Sequence, residues 1–298
     1  MSGAASRDAV EAGYAPAADP AAPPPAGSRI EILVPAPNAA RTARRRRRTE
    51  RLIAVLSPIV FLALWEACVA LSLLDPRFFP PPSGIAATFV DLIRSGALAD
   101  NTLISLSRIA VGFLMGGIPG IIVGTVMGLS RVVRAALNPI VGAIYPIPKT
   151  ALLPLILLIF GLGEMSKYVT IAIAVFFFVL INTMAGVMSV EQIYWDVGKN
   201  FKASRLNVFR TIAVPGAMPM IFAGLRLAWG VSLLVLVAAE FVGAKSGIGY
   251  MIWSSWQIFD IPQMFAGLIV IGFLGWASFI VIDELERYVL PWRTVNQK

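Results

Sequence analysis

The chain is 298 residues long, 57% hydrophobic and only 14% charged, with a mean hydropathy of +0.77, whereas soluble domains carry about 25% charged residues. Histidine is absent and cysteine occurs once, at Cys68, which excludes His-based acid/base chemistry, His/Cys metal sites, internal disulfides and Cys–His nucleophiles on this chain. Apolar side chain exceeds what one globular core buries, so lipid must solvate much of the surface. The formal charge is +8, and nine of the basic residues lie at or before Arg51.

Residues 1–50 are rich in Ala, Pro and Gly and show no apolar period, which predicts a disordered tail. Asp8 and Glu11 near the start argue against a signal peptide. The tail ends in arginines at 44–48, flanked by Arg41 and Arg51. A basic cluster abutting an apolar run reads as a topology anchor on anionic headgroups; a nucleic-acid patch is the alternative.

Six apolar stretches follow, at 52–74, 102–129, 137–160, 168–190, 215–242 and 264–282. Each can cross a hydrocarbon core of about 30 Å at about 1.5 Å per residue. Prolines at 80, 81 and 82 stop the first, and a moderately amphipathic segment covers 84–98. The second places Gly112, Gly116, Gly120, Gly124 and Gly128 four residues apart, a groove for another backbone, filled either within the chain or at a dimer seam. Pro119 lies inside it and should bend it. Pro139, Pro146, Pro148 and Pro154 crowd the third, which predicts a broken or kinked segment packed inside protein or lining a wet cavity. Residues 243–263, with Gly247, Gly249, Trp253 and Trp256, suit a short interfacial helix. The Lys/Arg bias places both termini in the cytoplasm: Arg131, Arg134, Lys199, Lys202, Arg205, Arg210, Arg287, Arg293 and Lys298 join the tail cluster inside, against Arg77, Arg94, Lys167 and Lys245 outside.

The polar segment 191–214 is longer than a chain reversal needs. Ile193, Val197 and Phe201 recur every four residues, Ser204 is placed to cap a second short helix carrying Leu206, Phe209 and Ile212, and Pro215-Gly216 should close the unit at the membrane. Two short helices showing aromatic side chains fit a partner's groove, or fold back on their own bundle.

Asp196-Val197-Gly198, three residues, Lys202, nine residues, then Ile212-Ala213-Val214-Pro215 keeps the spacing of the EAA loop: Glu-Ala-Ala, three residues, Gly, nine residues, Ile, one residue, Leu-Pro. The chain therefore resembles the permease subunits of binding-protein-dependent ABC importers. Leu64-Trp65-Glu66, Pro80-Pro81-Pro82-Ser83, Ser107-Arg108, Pro146-Ile147-Pro148-Lys149, Phe160-Gly161-Leu162-Gly163-Glu164 and Glu240 with Gly247-Ile248-Gly249-Tyr250 resemble the nitrate, sulfonate/taurine, cyanate and bicarbonate branch. The resemblance covers about residues 60 to 290. It implies an all-α integral membrane fold with six transmembrane helices (the type I importer permease fold) as the permease domain over 51–298, and does not extend to the tail over 1–50. It also implies a second permease copy, two cytoplasmic ATPase subunits gripping the loop at Asp196, Val197, Gly198, Phe201, Lys202, Ser204, Arg205, Phe209, Ile212 and Pro215, and an extracytoplasmic solute-binding protein. ATP and Mg would sit on the ATPase chains, with no cofactor, metal or catalytic residue here and an inner-membrane location.

Asp196 stands for the family's Glu, Val197 and Gly198 for its two Ala, and Lys202 for its Gly. If that glycine turns the chain at positive φ, Lys202 costs about 1 kcal/mol there; otherwise the turn is redrawn or the partner's groove differs.

Arg108, Lys149, Arg226 and Glu240 lie in or near apolar stretches, with Glu66 toward the end of the first. A mid-bilayer charge costs about 2.5–3.5 kcal/mol. Arg108, Lys149 and Glu240 are candidates to line a path for a small anion, Glu240 alternatively meeting a docked binding protein. The competing reading pairs the cations with Glu66 or Glu240, fixing helix rotation. Arg226 is expected to anchor at the inner face. Branch resemblance points to small oxyanions or sulfonates, with a vitamin precursor such as the thiamine pyrimidine second. A secondary transporter or channel would need ion-coupling carboxylates or a filter, and few acids lie at membrane depth.

Overall fold

The computed structural model describes residues 39–291; the N-terminal 38 residues, Arg293 and Lys298 lie outside the described residues. The chain divides into two units, Met1–Val60 and Phe61–Lys298. In the first, helix α1 (Ala39–Ala70) already begins at Ala39, inside the segment expected to be a disordered tail. Ala and Arg are strong helix formers, and Arg46 pairs with Glu50 one turn on at 3.0 Å.

In the second unit α1 ends at Ala70, four residues before the expected end of the first apolar stretch. Ser72 turns at φ +58°, Leu73 N–H bonds back to the Cys68 carbonyl at 2.9 Å, and Asp75 accepts from Arg77 N–H at 2.9 Å. Helix α2 (Pro82–Arg94) follows, and Gly96 at φ +79° separates it from α3 (Ala97–Leu129). Helix α3 starts five residues earlier than apolarity alone predicts. Asp100 suits its positive N-terminus, and the polar groups of Asn101 and Thr102 bond within it to the carbonyls of Ala97 and Leu98 at 2.8 and 2.6 Å.

The third apolar stretch is broken, as its prolines predict. Helix α4 (Arg131–Ile144) is followed by a 3₁₀ turn (Lys149–Leu152) and α5 (Leu153–Phe160), with an 85° bend between the two halves. Then come α6 (Glu164–Met188), α7 (Gln192–Asn200), α8 (Arg205–Val208), a π-helical turn (Phe209–Ala213), α9 (Val214–Gly243), α10 (Ile248–Gln257) and α11 (Ile261–Val289). Among the described residues, five helices are long and apolar enough to cross a membrane, and a sixth crossing exists if the bent pair is one span. Helix α10, ten residues long, is too short to cross a core of about 30 Å.

The three central helices are α6, α9 and α3, buried over 50%, 44% and 39% of their most apolar windows, against 17% for α11. Ile109, Ile171, Val175, Val179 and Leu236 meet between them, and Phe113 and Trp229 pack edge to face at 5.2 Å. The glycine groove of α3 is filled by α6 within the chain. A Cβ at Gly112 would stand 2.7 Å from Ile171 Cβ, one at Gly120 2.9 Å from the Phe176 carbonyl oxygen, and one at Gly128 2.6 Å from Val187 Cβ. Gly116 and Gly124 likewise face the backbone carbonyls of Ala172 and Leu180. With little hydrophobic force between helices in lipid, such close backbone approach supplies the dispersion that holds them.

Candidate functional site

Two places carry the polar groups, at opposite ends of α6. Helix α6 has 25 residues, which places them about 37 Å apart along its axis.

At its N-terminal end, Asn101, Ser105 and Arg108 occupy one face of α3 at i, i+4 and i+7. Arg108 Nε and Nη2 donate to the two oxygens of Glu164 at 2.6 and 2.7 Å. Its Nη1 donates to Glu240 at 2.7 Å and to the Ser246 carbonyl at 2.6 Å. Glu240 also accepts from Ser105 Oγ at 2.8 Å and Gly249 N–H at 2.7 Å. Ser105 Oγ in turn accepts from Ile248 N–H at 2.8 Å, and Asn101 Oδ1 from Gly247 N–H at 2.7 Å. Gly247 holds φ +109°, and a Cβ there would strike Glu240 and Arg108 Nη1. The cluster ties α3, α6 and α9 to the start of α10 with its charges paired, the condition for ions at membrane depth.

Of the intramembrane charges, Arg108 and Glu240 form the expected kind of pair, and Lys149 and Glu66 do not. Arg108 and Glu240 are 1% and 0% exposed, so neither presents its charge to a path in this conformation, and Glu240 has no surface with which to meet a docked protein. Lys149 is also buried. Its Nζ donates back to the Ile144 and Tyr145 carbonyls at 2.9 and 3.1 Å, capping α4, and stands 4.6 Å from the Phe177 ring centroid. Glu66 pairs with neither cation. It accepts from Ser83 N–H at 3.0 Å and Ser83 Oγ at 2.7 Å, at the N-terminus of α2. Arg226 joins α9 to Asp283 and Glu286 of α11, the latter at 2.8 Å. The sequence reading passed over the roles of Asn101, Ser105 and Lys167, whose Nζ donates to the Leu162, Gly163 and Gly243 carbonyls at 3.0, 3.1 and 2.8 Å. The spacing of Asn101, Ser105 and Arg108 on one helical face was the available signal.

At the other end, α7 carries an apolar stripe that nothing covers among the described residues: Ile193, Tyr194, Val197 and Phe201 are all exposed, Phe201 by 82%. Lys199 and the amide of Gln192 flank Asp196 on the opposite side. The Gln192 amide, and then Lys199, hold its carboxyl below the ordinary range. Helix α7 ends with Lys202 at φ +49°. Lys202 N–H bonds to the Lys199 carbonyl and Ala203 N–H to the Gly198 carbonyl, both at 2.9 Å. This is the paired C-terminal motif that normally places glycine at the left-handed position, so the turn expected of the family's glycine is retained with lysine in it. Ser204 Oγ accepts from Asn207 N–H at 3.2 Å, the predicted cap.

The second short helix does not stop at Pro215-Gly216. Helix α8 runs through the π turn into α9, giving one apolar helical run over Leu206–Gly243. Pro215 removes the donor that the Thr211 carbonyl would use and crowds that oxygen. The wider turn, in which Val214 N–H reaches back to Phe209, makes room for the ring. Phe209 and Ile212 are half-buried rather than displayed, with Ile212 Cδ1 2.9 Å from where a Gly198 Cβ would stand. Arg205 opens α8, its side chain lying outside the described residues.

Residues 116–295 match the model of the family described as "Binding-protein-dependent transport system inner membrane component". The chain belongs to this family. It is a multi-pass permease subunit of the ABC importers. Among its relatives, the "Putative aliphatic sulfonates transport permease protein SsuC" of Bacillus subtilis is 35% identical over 80% of the permease and 87% of its own length. The "Taurine transport system permease protein TauC" of Escherichia coli is 35% identical over 78% and 86%. The "Nitrate import permease protein NrtB" of Synechococcus elongatus is 30% identical over 78% and 87%. In fold, the permease is similar to a chain of the MetNI methionine ABC transporter solved in inward-facing conformations, with a TM-score of 0.57 at 18% identity over 62% of the permease and 92% of that chain.

Proposed function

We propose that two copies of this permease form the path of an importer for small sulfonates or oxyanions, driven by ATP and Mg on two cytoplasmic ATPase subunits and supplied by an extracytoplasmic binding protein. The relatives named for aliphatic sulfonates, taurine and nitrate support the substrate class. The Lys/Arg bias supports an orientation with both termini and residues 191–214 in the cytoplasm.

The observation that carries the coupling role is the uncovered apolar stripe of α7, displayed outside the spans. Exposed Ile193, Val197 and Phe201 offer a helix face for a hydrophobic groove. Gly198 packs on Ile212, so a displacement of α7 reaches the run leading into α9. The 38 residues of that run form a lever of about 57 Å, whose far end carries Glu240 of the buried cluster. An ATPase closing on α7 would therefore tilt α9 against α3 and α6 as a body.

The test is uptake of taurine or nitrate into vesicles holding the permease with the ATPase and binding protein encoded beside it. Uptake should require ATP, and Phe201→Asp should abolish it while membrane insertion persists. Equal uptake with no ATPase bound would overturn the coupling role.

A further inference from the structure

Where α3 and α6 end, three cations from two parts of the chain surround one cleft of about 500 Å³. Arg131 and Arg134 stand on the first turn of α4, immediately after α3 ends at Leu129; Lys199 comes from α7, just beyond the end of α6 at Met188. Among the described residues, no carboxylate lines the cleft. Asp196, 3.3 Å from Lys199 Nζ, lies outside its wall, and that exposed pair is readily exchanged for a stronger anion. Arg134 is held in place by Nη1 bonds to the Met127 and Gly128 carbonyls, both at 3.2 Å, which fix its guanidinium without neutralising it. Apart from Gln192 and Trp195 the rest of the wall is apolar, and Leu129 and Met188 are themselves exposed at the span ends.

An excess of positive charge beside exposed aliphatic surface, with only Lys199 paired and that to Asp196 outside the wall, matches a phosphate ester carrying an apolar body at the depth where two spans terminate. A free anion would have no use for Leu129 and Met188. We propose that this cleft binds the headgroup of an anionic phospholipid, with Arg131, Arg134 and Lys199 around the phosphodiester and the glycerol region against Leu129 and Met188. Because Lys199 belongs to α7, an occupied cleft ties that helix to the α3–α4 turn and makes coupling sensitive to lipid charge. That consequence rests on the role proposed for α7 above; the binding itself does not.

The test titrates the delipidated full-length chain in detergent with phosphatidylglycerol, phosphatidylcholine and inorganic phosphate, reading bound lipid by native mass spectrometry. Phosphatidylglycerol should be retained over phosphatidylcholine. Arg131→Gln with Lys199→Gln should weaken its binding about thirty-fold, at roughly one unit of membrane-surface attraction per cation. Arg77→Gln with Lys245→Gln, an equal charge change away from the cleft, should leave it unaltered. Equal retention of both lipids, an unaffected Arg131/Lys199 double variant, or displacement by inorganic phosphate at matching concentration would each overturn the lipid assignment. Reconstituted with its ATPase and binding protein, the wild type should transport faster in phosphatidylglycerol than in phosphatidylcholine vesicles, and the double variant should lose that difference. Lipid-selective binding without it would overturn only the regulatory consequence.

Discussion

Arg108 on α3 reaches Glu240 on α9 at 2.7 Å across 132 positions of sequence, and neither side chain keeps more than 2% exposure. Glu240 is the more dependent partner, since its other donors are the neutral Ser105 hydroxyl and Gly249 N–H. Arg108 also holds Glu164, itself half exposed. Removing the cation strands a buried carboxylate, whereas removing the carboxylate leaves Arg108 with a second anion. Arg108→Gln should therefore destabilise by about 3–5 kcal/mol, and Glu240→Gln by about 1–3 kcal/mol. Thermal unfolding in detergent checks the order; equal losses would show that Glu164 contributes nothing to Arg108.

The α3–α6 seam should be intolerant of volume. A Cβ at Gly120 meets a backbone carbonyl, which cannot swing aside as a side-chain tip can. Gly120→Val should cost about 1–3 kcal/mol through forced backbone displacement, and Gly112→Val a similar amount against Ile171. Gly142→Ala, inside α4 with nothing within 4 Å of the added carbon, is the control and should not destabilise, the change to Ala favouring the helix. Protease resistance of the detergent-solubilised chain separates the outcomes.

Lys202 sits at φ +49° with its side chain exposed. Lys202→Gly relieves left-handed strain and should stabilise the α7 terminus by about 1 kcal/mol, whereas Lys202→Val should destabilise it. Amide exchange at Lys202 and Ala203, whose N–H groups close the turn, should slow in the first variant and quicken in the second.

Glu66 and Ser83, 17 residues apart, should behave as an N-terminal cap for α2. Glu66→Gln and Ser83→Ala should each destabilise the start of α2. In a double-mutant cycle the pair should cost less than the sum, because both changes act on the Ser83 Oγ–Glu66 bond, while the bond from Ser83 N–H survives Ser83→Ala. Strict additivity in unfolding measurements would show that the two act separately.

Much of the site was local in character and so was legible along the chain. The stripe of α7, the Ser204 cap and the turn at Lys202 are set within a few residues of one another, where helical period and backbone preference decide. The continuity of α8 with α9 was not legible. Pro215-Gly216 signals a stop, and only the π turn opposite the proline ring lets the helix pass. The partners of the buried charges were hidden for a different reason. Glu66, Glu164 and Glu240 are all acids near a span end in sequence, and apolar periodicity ranks none of them as the partner of Arg108.

By itself the sequence determined that the chain is apolar enough to need lipid, where it crosses, that the third crossing is broken, and which loop spacing and ordered motifs it shares with the ABC permeases. These follow from composition and from periods of a few residues, which act before distant segments meet. Tertiary structure alone decided that α6 fills the glycine groove of α3 and that Arg108 bridges Glu164 and Glu240. Each of those depends on the rotation and approach of helices far apart in the chain. Packing complementarity across the whole bundle sets that rotation, and no local window contains it.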